Sequence, residues 1–156
     1  MITEIYKEEQ LAGITNIEYY LLTEVSNFPI QLSDANANQL VFATAPQNLI
    51  ATVDEESFAD DSRVKEGNSG DLYEIALKYN IITRGKQLEQ LLDVYKNKPG
   101  IALVRYYDGS AKIFGTNEEP LFMKFTPRNG STITDKAFVN VEIQGITRNR
   151  PVYFAG

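Results

Sequence analysis

From Asp71 to Tyr79 the chain reads Asp-Leu-Tyr-Glu-Ile-Ala-Leu-Lys-Tyr, with Tyr73, Ile75, Leu77 and Tyr79 on one parity and Leu72, Glu74, Ala76 and Lys78 on the other. In an extended chain successive side chains point to opposite faces, so this stretch is a strand with one dry face and one wet face. Such a strand cannot stand alone. Its backbone groups need ladder partners and its apolar face needs a second layer, so the remaining sequence must supply a sheet and something to cover it.

Candidate partners recur along the chain. Residues 17–25 (Ile-Glu-Tyr-Tyr-Leu-Leu-Thr-Glu-Val) form a nearly continuous apolar run, read as a strand buried on both faces, with a helix left open by periodicity alone. Residues 39–45 and 49–53 are two short strand candidates joined by Pro46-Gln-Asn48, which is turn chemistry. Residues 101–107 carry apolar side chains on both parities and belong in mid-sheet. Asp108-Gly109 then predicts a type I′ hairpin turn, because glycine accepts a positive φ without strain. Residues 111–114 return antiparallel, 115–120 turn again with Glu118 and Glu119 at the surface, and 121–126 leave as another strand. Residues 137–146 alternate Val139, Val141 and Ile143 against Asn140, Glu142 and Gln144, and residues 151–154 make a last short strand.

The period changes once. Leu88, Leu91, Leu92 and Tyr95 stand at helical spacing, which predicts one amphipathic helix over about residues 84–97, with Thr83 as its cap and Pro99-Gly100 as its stop. The expected fold is therefore mainly β: an antiparallel sandwich or barrel of about seven to nine strands with one flanking α-helix. The 156 residues fit a single domain with one core. Residues 1–13 read as an N-terminal arm and residues 54–70, rich in charge, Ser, Asn and Gly, as a long acidic surface loop.

The composition narrows the chemistry. The chain has no cysteine and no histidine, which removes thiol chemistry, zinc–thiolate sites and the commonest general base. Fifteen basic against 21 acidic residues give a net charge of −6, a poor balance for gripping phosphates. No apolar run approaches the ~20 residues of a membrane helix, and the charged start Met-Ile-Thr-Glu-Ile-Tyr-Lys-Glu-Glu-Gln is unlike a signal peptide. A soluble intracellular product with no membrane partner is expected.

The only dense carboxylate cluster is Asp54, Glu55, Glu56, Asp60 and Asp61, with Phe58 among them. A Ca²⁺ site or an acid–base pair would use such residues, but the order of an EF-hand loop is missing. The preferred reading is a solvated or subunit-facing loop. The nine tyrosines and eight phenylalanines belong mostly to strand cores; Tyr19, Tyr106 and Tyr107 are the candidates if the chain instead binds a carbohydrate or small ligand. Arg128, Arg148 and Arg150 read as edge-strand charges, with a phosphate contact as the alternative. Asn129-Gly-Ser131 matches a glycosylation sequon and is read as chance, and Gly67-Asn-Ser-Gly70 is too short to cradle a nucleotide. No catalytic residue, metal site or cofactor is expected.

The order of elements resembles structural proteins of phages and prophages of Bacteroides-type bacteria, of the tail or tail-tube kind. The likeness runs from Gly13-Ile14 through Leu72-Tyr73-Glu74, the leucine-rich helix, Asp108-Gly109 and the Gly-Thr-x-Glu-x-Pro-Leu turn from Gly115 to Leu121, to Tyr153-Phe154. The resemblance implies a non-enzymatic virion subunit, tail-tube-like or a related connector or terminator ring, made in the bacterial cytoplasm and then built into the virion. Its partners would be copies of itself in a ring or tube, other tail proteins, and DNA passing through a lumen without specific contacts. The 54–70 loop would reach a neighbouring subunit.

Overall fold

In the computed structural model, residues 13–42, 57–67, 70–82, 86–128 and 138–154 are described. The alternation at Asp71–Tyr79 lies within a longer strand, β6 in a chain order that runs β1 (Ile14–Leu21), β2 (Val25–Ser26), β3 (Val41–Phe42), β4 (Ala59–Asp60), β5 (Arg63–Gly67), β6 (Gly70–Ile81), α1 (Lys86–Tyr95), β7 (Pro99–Tyr106), β8 (Ala111–Phe114), β9 (Leu121–Arg128), β10 (Phe138–Thr147) and β11 (Val152–Tyr153). Nine strands form one curled antiparallel sheet, and β2 and β3 pair separately. The mainly β architecture with one α-helix among the described residues is the expected one.

β7 holds the sheet together. One edge pairs with β1 from Leu21↔Gly100 to Ile14↔Tyr106. The opposite edge pairs first with β9, at Pro99↔Phe122 and Gly100↔Leu121, and then with β8, from Ala102↔Phe114 to Arg105↔Ala111. The chain thus leaves β7 after Phe114, turns outward through residues 115–120, and returns to the same edge before continuing to β10. Gly115 makes this corner at φ +88°, and the Thr116 and Glu119 backbones close it with an N–H···O bond of 3.1 Å. Glu119, expected simply at the surface, accepts the Arg148 N–H at 3.1 Å. The corner folds β1, β7, β8 and β11 over β9, β10, β6 and the β4–β5 edge.

The single expected core is two layers, one on each face of β7. Ala102 and Val104 enter the inner layer between the two halves, together with Leu77, Tyr79, Met123, Val141 and Ile143. Ile101 and Leu103 enter an outer layer closed by Val25, Ala37 and Leu40 of the 22–42 segment and by Val152. Each fully buried aliphatic side chain of this kind contributes roughly 1.5–3 kcal/mol.

Helix α1 presents Leu88, Leu92 and Tyr95 to the inner layer, the stripe read from the sequence. It ends before Pro99-Gly100. Asn97 takes the left-handed cap conformation at φ +57° and donates its N–H to the Met123 carbonyl at 2.9 Å, and Pro99 already begins β7. Thr83 lies outside the described residues, as do residues 1–12, 43–56 and 129–137 and the strand expected at 49–53. Of the run 17–25, only residues 17–21 are in β1; a 3₁₀ turn (Leu22–Glu24) ends it before Val25 opens β2. Of 39–45, only Val41–Phe42 is strand.

Two local expectations need correction. At Asp108-Gly109 only Gly109 has a positive φ, +87°. Its N–H reaches the Tyr106 carbonyl at 3.1 Å and the Tyr106 N–H reaches the Ser110 carbonyl at 3.0 Å, so the connection is a four-residue turn with a glycine bulge rather than type I′. Asp108 favours this form because its carboxylate accepts the Ser110 N–H and hydroxyl at 2.9 and 2.6 Å, which also holds its pKa below the usual range. The loop expected over 54–70 is, from Ala59 to Gly67, an edge strand of β6. Its charged composition hid a strand whose side chains are almost all in water.

A Cβ on Gly100 would stand 2.4 Å from the Tyr20 carbonyl and 2.6 Å from the Tyr19 ring, at the point where β1, β7 and β9 meet. Gly100→Ala is expected to cost about 3 kcal/mol, the range of core overpacking, measured as a lower urea midpoint with unchanged m.

Candidate functional site

Of the acidic residues singled out in the sequence, Asp54, Glu55 and Glu56 lie outside the described residues. The others secure an edge. The Phe58 ring packs 5.7 Å from the Tyr79 ring. Asp60 accepts the Ser62 N–H at 2.9 Å; Asp61 donates its N–H to the Ala76 carbonyl at 2.8 Å and places its carboxylate 3.5 Å from Lys78. Between β4 and β5 the ladder is completed by a side chain, the Ser62 hydroxyl accepting the Ala76 N–H at 3.1 Å, and the Ser57 hydroxyl does the same for Asn80 at 2.8 Å. Among the described residues no group of three or more carboxylates is placed to hold a metal ion.

The three candidate tyrosines are not brought together. Tyr19 is 2% exposed, and its hydroxyl donates into the Lys98 and Leu121 carbonyls at 2.7 and 2.9 Å, so it is a tie within the core and not a ligand residue. Tyr106 is half-buried; burial, then the Asp60 carboxylate, pushes its pKa up to about 12. Its ring shares the Lys112 ammonium with Tyr153, at 5.8 and 5.0 Å to the centroids. Tyr107 is exposed beside Gly13.

Two features stand out instead. The first is an arm. β10 stops pairing with β6 at Thr147↔Tyr73, whereas β5 follows β6 to Gly67↔Gly70. Beyond Tyr73 the chain is therefore a two-stranded ribbon, exposed along all of β5 and from Gly70 to Leu72. Register gives its two faces different characters. Val64↔Tyr73 and Glu66↔Asp71 lie on one, with two carboxylates directly opposite at the tip; Arg63↔Glu74 and Lys65↔Leu72 lie on the other, with both cations within 4 Å of Glu74.

The second is a groove of about 950 Å³ across the outer face of β6, β10 and β9. Its floor holds Phe122 and Ile146, 40% and 58% exposed, and beside them the cross-strand row Lys78↔Glu142↔Lys124. Lys78 is paired with Asp61, but the Lys124 ammonium has no carboxylate within 4 Å among the described residues. The sequence held a signal for this surface. Leu72, Phe122 and Ile146 are apolar residues on the polar parity of three different strands, and the register puts all three on one face.

A separate clasp fastens the chain's last strand. Asp34 accepts the Arg150 guanidinium and the Tyr153 N–H, both at 2.8 Å, and these bonds, the guanidinium's first, hold its carboxyl below the usual range. Arg150 is thus an anchor for the 27–36 segment, not a free edge charge.

Tyr19→Phe leaves two interior carbonyls short and is expected to cost about 1–3 kcal/mol in chemical denaturation. Tyr79→Phe, at a buried hydroxyl that finds no partner among the described residues, is expected to leave stability unchanged or higher. A carboxylate held low contributes stability above its ordinary pKa, near 3.9, and loses it as pH falls through its folded value. Asp34→Asn is therefore expected to lower Tm at pH 7, with the two Tm profiles converging as the pH drops from about 5 to 2. Compared with protein-family models, with curated proteins and with solved structures, the chain matches none.

Proposed function

We propose that this chain is a non-enzymatic structural subunit that assembles with copies of itself into a ring or tube, as the phage tail-tube-like proteins it resembles do. The observation that carries the reading is the arm. An isolated two-stranded ribbon is at best marginally stable in water; here residues 65–67 and 70–72 run past the last β10 pair, with Leu72 exposed on the ribbon and Val64 exposed at its base. A neighbouring subunit lying on the arm supplies the missing layer. The place expected from the sequence for the contact, the acidic loop, shifts to the ribbon from Arg63 to Glu74.

The charges say which contact is disfavoured. Arg63 and Lys65 share one face of β5, so two copies joined antiparallel edge to edge with that face turned the same way would set Lys65 against Lys65 or Arg63 against Lys65. Like charges directly opposite oppose pairing, and lysine on an edge is a common protection against it. Association through the arm's faces remains open. The net charge of −6 suits a wall past which DNA slides without adhering. On this reading the subunit is made in the bacterial cytoplasm and joins other tail proteins in the virion.

A second reading, a carbohydrate- or small-ligand-binding domain, is favoured by the groove, whose volume lies in the range of ligand pockets and whose lining adds Asn97 and Gln144 to the Phe122 ring.

Light scattering across a concentration series, with negative-stain imaging, separates the two. Rings or tubes are expected for the native chain. A variant joining Arg63 to Glu74 through Asn-Gly, a two-residue turn suited to that facing pair, is expected to keep the fold and stay monomeric. A native chain that is monomeric at every concentration overturns the assembly reading and directs the search to glycans and small ligands.

A further inference from the structure

We infer that the arm of one copy docks face-down in the groove of the next. The inference rests on the self-assembly reading and specifies its contact. The arm's Val64 face carries an exposed apolar side chain and, further out, Glu66 directly opposite Asp71. Two carboxylates paired across a ribbon repel one another, and a cation brought between them removes that cost. The groove offers the complement: exposed Phe122 and Ile146, and the Lys124 ammonium without a carboxylate partner among the described residues. Docking sets Val64 on Ile146 and Phe122 and brings Lys124 toward Glu66 and Asp71.

The donor and acceptor surfaces differ and both are present on every copy. The contact is therefore head-to-tail, and it propagates until the rotation between copies closes a ring or continues as a helix. Sheet faces stack about 10 Å apart, enough for one layer of interdigitating side chains.

The chain has no native cysteine, so a disulfide can report the contact cleanly. A chain carrying Val64→Cys, mixed with a second chain carrying Ile146→Cys and mildly oxidised, is expected to give a disulfide-linked dimer of the two. A mixture with Tyr107→Cys, an equally open position on a different surface, is expected to give little. Lys124→Glu is expected to weaken self-association about tenfold, and Glu66→Lys/Asp71→Lys in the same chain to restore it. Thermal unfolding checks that each variant is folded. If the native chain assembles but neither the Val64–Ile146 cross-link nor the Lys124→Glu effect is seen, arm-in-groove docking is overturned while the assembly reading stands. If the native chain never associates, both are overturned.

Discussion

Every larger feature of this protein depends on β7 being dry on both faces. Residues 101–104 are at most 1% exposed, and they alternate between two separate apolar layers. A strand in that position has no water to satisfy its backbone, so both edges must be filled along its length. β1 fills one; β8 and β9 share the other, and the sharing forces the corner at residues 115–120. The folding of one half of the sheet over the other follows from that corner.

The close approach at the start of β7 is held by small and polar groups working together. Gly100 lets the Tyr19 ring and the Tyr20 carbonyl come near, and the Tyr19 hydroxyl then reaches the Lys98 and Leu121 carbonyls across the junction of β7 and β9. Gly145 does the same on the far side, where a Cβ would stand 2.4 Å from the Leu121 side chain. The Leu121 side chain is thus packed between Gly145 and the corner's own Gly115, where a Cβ would stand 2.9 Å from it. Tyr95 adds an edge-on contact with Tyr19, ring centroids 6.2 Å apart, which ties the helix to the same point.

The parts of this design legible in the sequence were those in which pattern and burial agree. The alternation of Tyr73, Ile75, Leu77 and Tyr79, the helical stripe ending at Tyr95 and the two-sided strand after Gly100 all read correctly, because core positions leave a periodic trace. β5 did not. Arg-Val-Lys-Glu-Gly has no buried residue, so it left no hydrophobic period and passed for a loop. Tyr19 was ambiguous for the opposite reason: a tyrosine in a strand looks the same whether its hydroxyl meets a ligand or two carbonyls from distant segments, and only the alternative reading made it a ligand residue. The groove was half-visible, as Leu72, Phe122 and Ile146 on polar parities, but only cross-strand register shows that the three share a face. Asp34 and Arg150 are 116 positions apart, and no local pattern joins them.

The tie between Tyr19 and Leu121 also spans a long stretch of sequence, 102 positions. Its consequence is one of timing. During synthesis β1 emerges long before β7, while hairpins such as β5–β6 and β7–β8 close within their own few residues. Long-range pairing of this kind slows folding, because the entropy of closing the large loop is lost before any contact repays it. In that interval the run Tyr19-Tyr20-Leu21-Leu22 is a sticky, strand-forming segment without a partner. Glu18 and Glu24 bracket it. In the folded chain Glu18 stands 3.6 Å from Arg105 and Glu24 accepts the Leu21 N–H at 2.9 Å; before those partners exist, a charge on each side of an apolar run is the pattern that opposes strand-to-strand aggregation.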